Sequence, residues 1–466
     1  MTLFVSPRSH HPAWPSRLPA TALVALLSSG LACADHDDDE GDDDPVPQPS
    51  GEDPREVTFV ADVAPIYYER CVACHQPGGA APFSLTTYAD ARTYALPSRA
   101  ATAARTMPPW LVTSDGSCGE FADSIALTDE QIATIGTWVD QGMLEGSGSL
   151  PTPPNPPNVP DTVEYATPHF VPEIAGGDLA QFDEYRCFLI DPNLPGDRYV
   201  TGFELEPGNP ALVHHVVVFN LDPNADVGDG KTNLDVIHDL AAESPDREGW
   251  PCFGAAGEGT EFSGAPITWA PGQGPLAYPP GTGAKVAADE LLVAQVHYNL
   301  SDTSLLGQSD STRLAIRWAD QVDKEGFFVF PDPLLESLFE SEPDLLPPGQ
   351  PSYQYTWQAT PAELGLAGIG AVDIYGIFPH MHELGRKFSL SVLRDGEGPS
   401  CAADVQNWDF NWQRMYFYQQ PIRVFEDEPL QVVCDYDTTS RTDDVYPGWG
   451  TRNEMCLALM FLVPAE

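Results

Sequence analysis

The chain has 466 residues, with 22 Lys and Arg against 69 Asp and Glu, which gives a formal net charge of −47. So few basic residues argue against a nucleic-acid or anionic-membrane footprint, because both partners require basic patches. A hydrophobic share of 42% excludes a wholly disordered chain. The 47 prolines and 39 glycines favour loop-rich β structure over helical bundles. Nine cysteines favour a compartment outside the cytosol.

The amino-terminal segment has the features of a secretory leader. Its apolar run, Leu18 to Leu27, is too short to span a bilayer and predicts a signal over residues 1–33. The end of this segment resembles a bacterial lipoprotein cleavage site, which predicts lipidation of Cys33, with plain secretion as the alternative. Residues 34–55 are acidic and then Pro/Ser-rich, so we expect a disordered tether. The expected location is the periplasm or cell surface, anchored to a bacterial membrane.

A small module at residues 56–148 carries the attachment signature of a c-type haem. In the sequence Cys71-Val72-Ala73-Cys74-His75, both thiols can form thioethers with the haem vinyls, and the next residue supplies an imidazole to the iron. The alternatives are a redox CxxC pair, a zinc half-site or coincidence. Zinc would require a second Cys/His pair, and the sequence has none before Pro151.

Helices are expected on both sides of this motif. Asp62 to Arg70 has apolar residues at helical spacing, and Thr128 begins a capping box before an apolar helical face. This arrangement resembles the class I cytochrome c fold and implies a small all-α haem domain. Met107 is the candidate sixth ligand, because it is the only Met between the motif and the last helix and a thioether raises the potential of a His-ligated haem. Core packing is the alternative for this Met.

Three groups of histidines follow a Pro-rich linker at residues 149–160. His214 and His215 lie in a β-branched run that predicts a buried strand. Adjacent strand residues point to opposite faces, so the strand must end or bulge there if both rings bind one metal. His297 lies on a second apolar strand. A single histidine in such a strand is more often a core residue.

The third group, His380 and His382, has the i, i+2 spacing that puts both rings on one face of a strand. Three such groups in one secreted module favour a metal over core packing. Imidazoles suit zinc or copper, and a thioether added to imidazoles favours Cu(I). Met455 offers such a thioether.

Together these residues resemble the copper type II, ascorbate-dependent monooxygenases, a family that includes peptidylglycine α-hydroxylating monooxygenase and dopamine β-monooxygenase. The resemblance covers about residues 161–466. It implies two all-β, jelly-roll-like sandwich domains, 161–325 and 326–466, each holding one copper. The implied ligands are His214, His215 and His297 for an electron-relay copper, and His380, His382 and Met455 for a catalytic, oxygen-activating copper.

The cysteines are consistent with this resemblance. We expect disulfides between Cys187 and Cys252 and between Cys434 and Cys456, the latter holding the segment that carries Met455. Cys118 and Cys401 are either free or paired with each other across the domains. The sequence does not decide between these states.

The sequence departs from the peptide-amidating members of the family. Phe378 and Leu459 stand where those members have an Arg and a Tyr that hold the peptide carboxylate, so a glycine-extended peptide is not expected. With Leu457, these side chains predict an apolar pocket and an apolar or lipid-like organic substrate.

The resulting interpretation is a monooxygenase that hydroxylates a C–H bond with O2. Electrons would come from an ascorbate-like reductant or a redox protein, through the haem and the relay copper. The alternatives are a non-catalytic electron-transfer or copper-binding lipoprotein, and a carbohydrate- or protein-binding sandwich with incidental histidines.

Overall fold

The computed structural model describes residues 55–465 apart from 78, 80, 151, 153–156, 175–181, 254 and 397. The expected signal, Cys33 and almost all of the acidic tether therefore lie outside the described residues. Within the described ranges, no helix has the length and apolar character needed to cross a membrane.

The described chain is mostly β-sheet with few helices, which confirms the β-rich character expected from composition. The helices are α1 (Ala64–Arg70), α2 (Tyr88–Thr93), α3 (Ala95–Ala103), α4 (Asp129–Asp140), α5 (Asn233–Ala241) and α6 (Pro333–Glu336). Short helical turns cover Phe59–Val63, Thr303–Leu305, Ser337–Phe339 and Ala362–Leu366. The strands are β1 (Thr162–Ala166), β2 (Asp183–Ile190), β3 (Arg198–Glu206), β4 (Val213–Leu221), β5 (Trp250–Pro251), β6 (Gly264–Trp269), β7 (Leu276–Ala277), β8 (Thr282–Val286), β9 (Leu291–Asn299), β10 (Arg313–Ala319), β11 (Lys324–Val329), β12 (Tyr353–Ala359), β13 (Ala371–His380), β14 (Gly385–Val392), β15 (Ser400–Val405), β16 (Tyr416–Phe425), β17 (Leu430–Tyr436) and β18 (Leu457–Pro464).

The small module is helical and has its own apolar core. Helix α1 ends directly before Cys71. Thr128 caps α4, accepting from the backbone N–H of Gln131 while the Gln131 side chain accepts from the Thr128 N–H, so the predicted capping box is confirmed. Trp138 is fully buried in this core, and its indole N–H donates to the Leu144 carbonyl at 2.9 Å. The two helices that bracket the CxxCH segment are thus anchored to one core.

The β region consists of three sheets. A nine-stranded sheet has the order β1-β10-β3-β8-β11-β18-β13-β16, with β7 added beside β3. A five-stranded sheet has the order β5-β2-β9-β4-β6. It shares an apolar core with the half of the nine-stranded sheet that contains β1, β10, β3 and β8. A four-stranded sheet has the order β12-β17-β14-β15. It shares another apolar core with the half of the nine-stranded sheet that contains β11, β18, β13 and β16. The parallel pair β8–β11 joins the two halves.

Strands β13 and β18 separate the two cores. Ile377 and Met460 face the core of the four-stranded sheet, whereas Phe378 and Leu459 face the core of the five-stranded sheet. This alternation follows from the two-residue period of a strand that is buried on both faces. The domain boundary expected between residues 325 and 326 falls inside β11.

A segment of the small module is built into the carboxy-terminal half. Val112 bridges to Val405, and Phe121 bridges to Tyr418. Trp110 belongs to the apolar core of the four-stranded sheet. A disulfide between Cys118 and Cys401 closes the contact, so the structure selects one of the two states that the sequence had left open.

Candidate metal centres

The first histidine group converges because β4 bulges at its start. The register of β4 against β9 shifts between Val213 and His215, as the sharing of one metal by two adjacent histidines requires. The Nδ1 atom of His215 lies 3.2 Å from Nδ1 of His214 and 3.2 Å from Nδ1 of His297. The ligand atoms of the three rings all lie within 4.8 Å of one another, so one ion can contact all three.

The surroundings favour neutral rings in this group. Burial lowers the pKa of His214 and His215 well below the ordinary value, and the charge of His297 lowers them further. Nε2 of His297 lies 3.1 Å from Oδ1 of Asp183, and we assign the ring proton to this nitrogen. Asp183 is itself fixed by Thr451, whose backbone N–H and hydroxyl donate to it at 2.9 Å. Nδ1 of His297 is then free to bind a metal.

The second group presents the opposite nitrogen. His380 is the last residue of β13, and its Nδ1 lies 2.5 Å from Oε1 of Gln413. Nδ1 of His382 lies 2.9 Å from the carbonyl oxygen of Asn453. Both oxygens are acceptors, so each Nδ1 carries the proton and each Nε2 keeps its lone pair for a metal. The ring centroids are 5.1 Å apart.

The segment that carries Met455 is fastened to this second group. Glu454 accepts from the backbone N–H groups of His382 at 2.9 Å and Leu384 at 2.7 Å. The Tyr436 hydroxyl donates to the Met455 carbonyl at 2.6 Å, and a disulfide joins Cys434 to Cys456. A second disulfide joins Cys187 to Cys252 behind the first group. These contacts hold the backbone around Met455 close to His382, and the role of Met455 as a ligand stays a prediction.

The two groups lie side by side, with His297, His380 and His382 buried and His214 and His215 half-buried. The ring centroids of His215 and His380 are only 6.0 Å apart. Phe410 stacks on His214 with a centroid distance of 4.3 Å and an interplanar angle of 24°. It also approaches His382 at 5.9 Å. A single aromatic ring therefore packs against both groups.

Comparison with known proteins agrees with this geometry. Residues 335–465 match the family described as "Copper type II ascorbate-dependent monooxygenase, C-terminal domain". This stretch is therefore similar to the carboxy-terminal domain of the copper type II monooxygenases. DBH-like monooxygenase protein 1 of Gallus gallus is 26% identical over 260 residues, covering 54% of this chain and 39% of that protein.

Two further proteins are also similar to this chain. Tyramine beta-hydroxylase of Caenorhabditis briggsae is 24% identical, over 56% of this chain and 41% of that protein. Dopamine beta-hydroxylase of Canis lupus familiaris is 22% identical, over 60% of this chain and 43% of that protein. The chain thus spans about two fifths of the length of these relatives. Among solved structures, that of the infectious bursal disease virus Gx strain is 7% identical, over 66% of this chain and 73% of that one. Its TM-score of 0.17 is too low to indicate a shared fold.

A cavity of about 740 Å³ opens beside His214 of the first histidine group. Among the side chains that line it are charged, amide and aromatic groups: Arg105, Asn299, Glu383, Arg386, Asn407, Trp408, Asp409, Phe410, Asn411 and Trp412. Phe378 and Leu459 are not among the lining residues, because the two-sided burial of β13 and β18 turns them into the interior, where they are 3% and 1% exposed. The sequence-based expectation of an apolar pocket formed by these side chains is therefore wrong.

The CxxCH segment has features that suit a haem. Nδ1 of His75 lies 3.2 Å from the Phe83 carbonyl oxygen, which makes Nδ1 the donor and leaves Nε2 for iron. Of the eight cysteines in the described part of the chain, six form disulfides and only Cys71 and Cys74 do not. Burial raises the pKa of Cys71 to about 12, which argues against a redox pair that needs a thiolate. Met107 is half-buried, and its role as sixth ligand stays a prediction.

Several site residues had no sequence signal. Asp183, Gln413 and Phe410 lie far along the chain from the histidines that they contact. No short motif links these pairs, because strand pairing and loop packing bring them together. The only usable signal was the density of aromatic residues from Trp408 to Trp412.

Proposed function

We propose that this protein is a copper-dependent monooxygenase that hydroxylates a C–H bond of an organic substrate. The balanced reaction is RH + O2 + two electrons + two protons giving ROH + H2O. Bound copper would supply one-electron redox chemistry and oxygen activation. The observation that carries the proposal is the pair of adjacent histidine groups. The first has converging Nδ1 atoms and a cavity beside His214, and the second has both Nδ1 atoms held by acceptor oxygens.

The chain's own residues prepare the two metal positions. His214, His215 and His297 would hold one copper, and His380, His382 and Met455 the other. Asp183 holds the His297 ring, while Gln413 holds that of His380. Such supporting hydrogen bonds fix the tautomer and raise the basicity of the ligand nitrogen.

The cavity lining favours a substrate with hydrogen-bonding groups. Charged and amide side chains alternate with aromatic rings along the loop from Trp408 to Trp412. The Asp409 carboxylate accepts from the backbone N–H and the side-chain amide of Asn411. A purely apolar substrate would remove these polar groups from water, which costs about 1–3 kcal/mol per group. A small organic molecule with polar groups satisfies them better.

The small module would hold one covalent haem c as an electron donor. Its ligands would be the thioethers of Cys71 and Cys74 and the iron ligands His75 and Met107. The hydrogen bond from His75 to the Phe83 carbonyl supports this assignment. The external electron source would be an ascorbate-like reductant or a redox protein, and the acidic chain favours a basic protein partner.

The remaining proposals concern organisation and location. We divide the chain into a leader (1–33), an acidic tether (34–55), a haem module (56–148), a Pro-rich linker (149–160) and two copper-binding β halves (161–325 and 326–466). Three disulfides support a location outside the cytosol. Anchoring through a lipid on Cys33 belongs to the same proposal.

An isotope experiment tests the function. Copper-loaded full-length protein would be incubated with ascorbate, labelled O2 and a panel of polar and apolar organic substrates. We expect oxygen uptake and one labelled oxygen atom in a hydroxylated product. The matched control is His382→Ala, which should bind less copper and form no product. Two bound coppers with no substrate-dependent oxygen uptake would favour the electron-transfer or copper-binding alternative.

A further inference from the structure

Residues 110–122 of the small module contact two strand edges of the carboxy-terminal half. Among the described strands, β15 is the last of the four-stranded sheet and β16 is the last of the nine-stranded sheet. The edge of a sheet presents backbone N–H and C=O groups that no neighbouring strand pairs. The segment forms one bridge to each of these strands, so the small module reaches both edges.

The contact with β15 combines hydrogen bonds with close backbone packing. The Thr113 backbone N–H donates to the Asp404 carbonyl oxygen at 2.7 Å. The Thr113 hydroxyl donates to the Asp404 carboxylate at 2.9 Å. Gly119 has a φ of +66°, and a Cβ atom added to it would lie 2.5 Å from the Ala402 carbonyl oxygen. The segment therefore approaches β15 more closely than a side chain at Gly119 would allow.

The contact with β16 has backbone hydrogen bonds on both sides of Phe121. The Ala122 N–H donates to the Phe417 carbonyl oxygen at 2.8 Å. The Gln419 N–H donates to the Glu120 carbonyl oxygen at 2.8 Å. The segment thus adds a short antiparallel bridge to the edge of β16.

Aromatic packing accompanies these hydrogen bonds. Phe121 is 2% exposed and stacks on Tyr418 with a centroid distance of 4.8 Å and an interplanar angle of 28°. Trp110 meets Tyr416 edge-on at 4.9 Å. The Tyr418 hydroxyl donates to the Ala402 carbonyl oxygen at 3.0 Å, which also ties β16 to β15. One segment of the small module therefore packs on both strands.

The loop between β15 and β16, residues 406–415, supports the second histidine group. Oε1 of Gln413 accepts from Nδ1 of His380 at 2.5 Å. The Trp408 indole N–H donates to the His382 carbonyl oxygen at 3.2 Å. Both ends of this loop continue into strands that the small module contacts, so the position of the loop depends on those contacts.

We propose that residues 110–122 are a positioning element for the second metal group. By holding β15 and β16, the segment fixes the loop between them and keeps Gln413 against His380. This inference rests on the proposed function, because it assigns copper to the second group. The small module is therefore a structural part of the copper-binding region as well as its neighbour along the chain.

The test is the copper affinity of each histidine group in the full-length protein, measured by competition with a copper chelator. Phe121→Ala removes the ring that packs on Tyr418 and should weaken copper binding about tenfold at the second group only. The matched control is Phe203→Ala, which removes a similarly buried ring from the core of the amino-terminal β half. This control should leave both affinities within about threefold of the parent protein. An equal loss in the two variants would show general destabilisation and overturn the proposal.

A double-mutant cycle tests whether the segment acts through Gln413. Phe121→Ala should weaken the second group about tenfold in the parent protein but less than about twofold in Gln413→Leu, because the contact that it disturbs is already lost there. A purely structural role of Phe121 predicts the same loss in both backgrounds. Equal losses would therefore overturn the positioning role.

A second variant keeps the proposal testable if Phe121→Ala does not fold. Cys118→Ser combined with Cys401→Ser removes the covalent link to β15 and retains the aromatic packing. It should weaken the second group about threefold and, in metal-free protein, speed hydrogen exchange of the backbone amides in β15 and β16. Parent affinity in Phe121→Ala, or in the serine variant if Phe121→Ala does not fold, would overturn this inference alone. A parent protein that binds no copper at the second group would overturn the proposed copper function together with it.

Discussion

The two histidine groups lie side by side but offer different nitrogens to a metal. In the first group, Asp183 takes the Nε2 side of His297 and the Nδ1 atoms converge. In the second group, the side-chain oxygen of Gln413 and the carbonyl oxygen of Asn453 accept hydrogen bonds from the Nδ1 atoms of the two histidines. Nε2 of each ring is therefore left for the metal. The partner on the far side of the ring therefore decides the coordination mode, and a histidine in a strand does not by itself specify it.

The largest expected effect is the loss of copper from one histidine group while the other group keeps its copper. His214→Ala should remove about one copper equivalent and leave the second group loaded, because the ligand sets share no side chain. His382→Ala should do the reverse. Copper would be measured by mass spectrometry on protein loaded with copper and then desalted. Loss of both equivalents from either single variant would show that the cluster binds copper as one site.

The next effect distinguishes the chemistry of the second group from its packing. Met455→Leu nearly conserves volume, so we expect it to cost under about 1.5 kcal/mol of unfolding free energy. It should nevertheless abolish substrate hydroxylation, because the soft thioether ligand for reduced copper is lost. Met460→Leu, a fully buried position in β18, is the matched control and should retain activity. Full activity and copper content in Met455→Leu would remove Met455 from the ligand set.

Smaller effects should follow from replacing the residues that hydrogen-bond to the histidine nitrogens not used for the metal. Asp183→Asn should weaken copper binding at the first group about 10–100-fold, since the carboxylate no longer fixes the His297 ring. Gln413→Leu should have the corresponding effect at the second group only. Competition titrations with a copper chelator would give both affinities. Equal weakening of both sites by either substitution would argue that the far-side partners do not act separately.

The smallest effect is a pH dependence of the metal-free protein. Burial lowers the pKa of His380 from 6.5 to about 4, so the unfolded state binds more protons than the folded state between these values. Its contribution to stability is therefore complete above pH 6.5 and is lost as the pH falls toward 4. At about 1.4 kcal/mol per pKa unit, the loss is on the order of 3 kcal/mol.

Urea unfolding of chelator-treated protein between pH 7 and 4 would measure this loss, with His380→Gln as the reference. The variant should show a shallower decline, because it has no imidazole to titrate. Identical slopes for the two proteins would contradict a buried neutral His380.

The sequence was sufficient for the parts of the site that have local patterns. The capping box at Thr128 and the need for a bulge at His214 and His215 could be read from neighbouring residues. The apolar pocket could not, because alternation along β13 and β18 does not show that both faces of these strands are buried. Phe378 therefore looked like a pocket residue but lies in the interior. The contacts of Asp183 and Gln413 depend on long-range packing, which no local pattern encodes.

The most direct test for two separate copper sites is anomalous diffraction at the copper absorption edge, from crystals of the copper-loaded protein. We expect two separate copper peaks per chain. One should lie against the Nδ1 atoms of His214, His215 and His297, and the other against the Nε2 atoms of His380 and His382 with the Met455 sulfur. A single peak shared by all five rings, or a second peak bound through Nδ1 of His380, would contradict it.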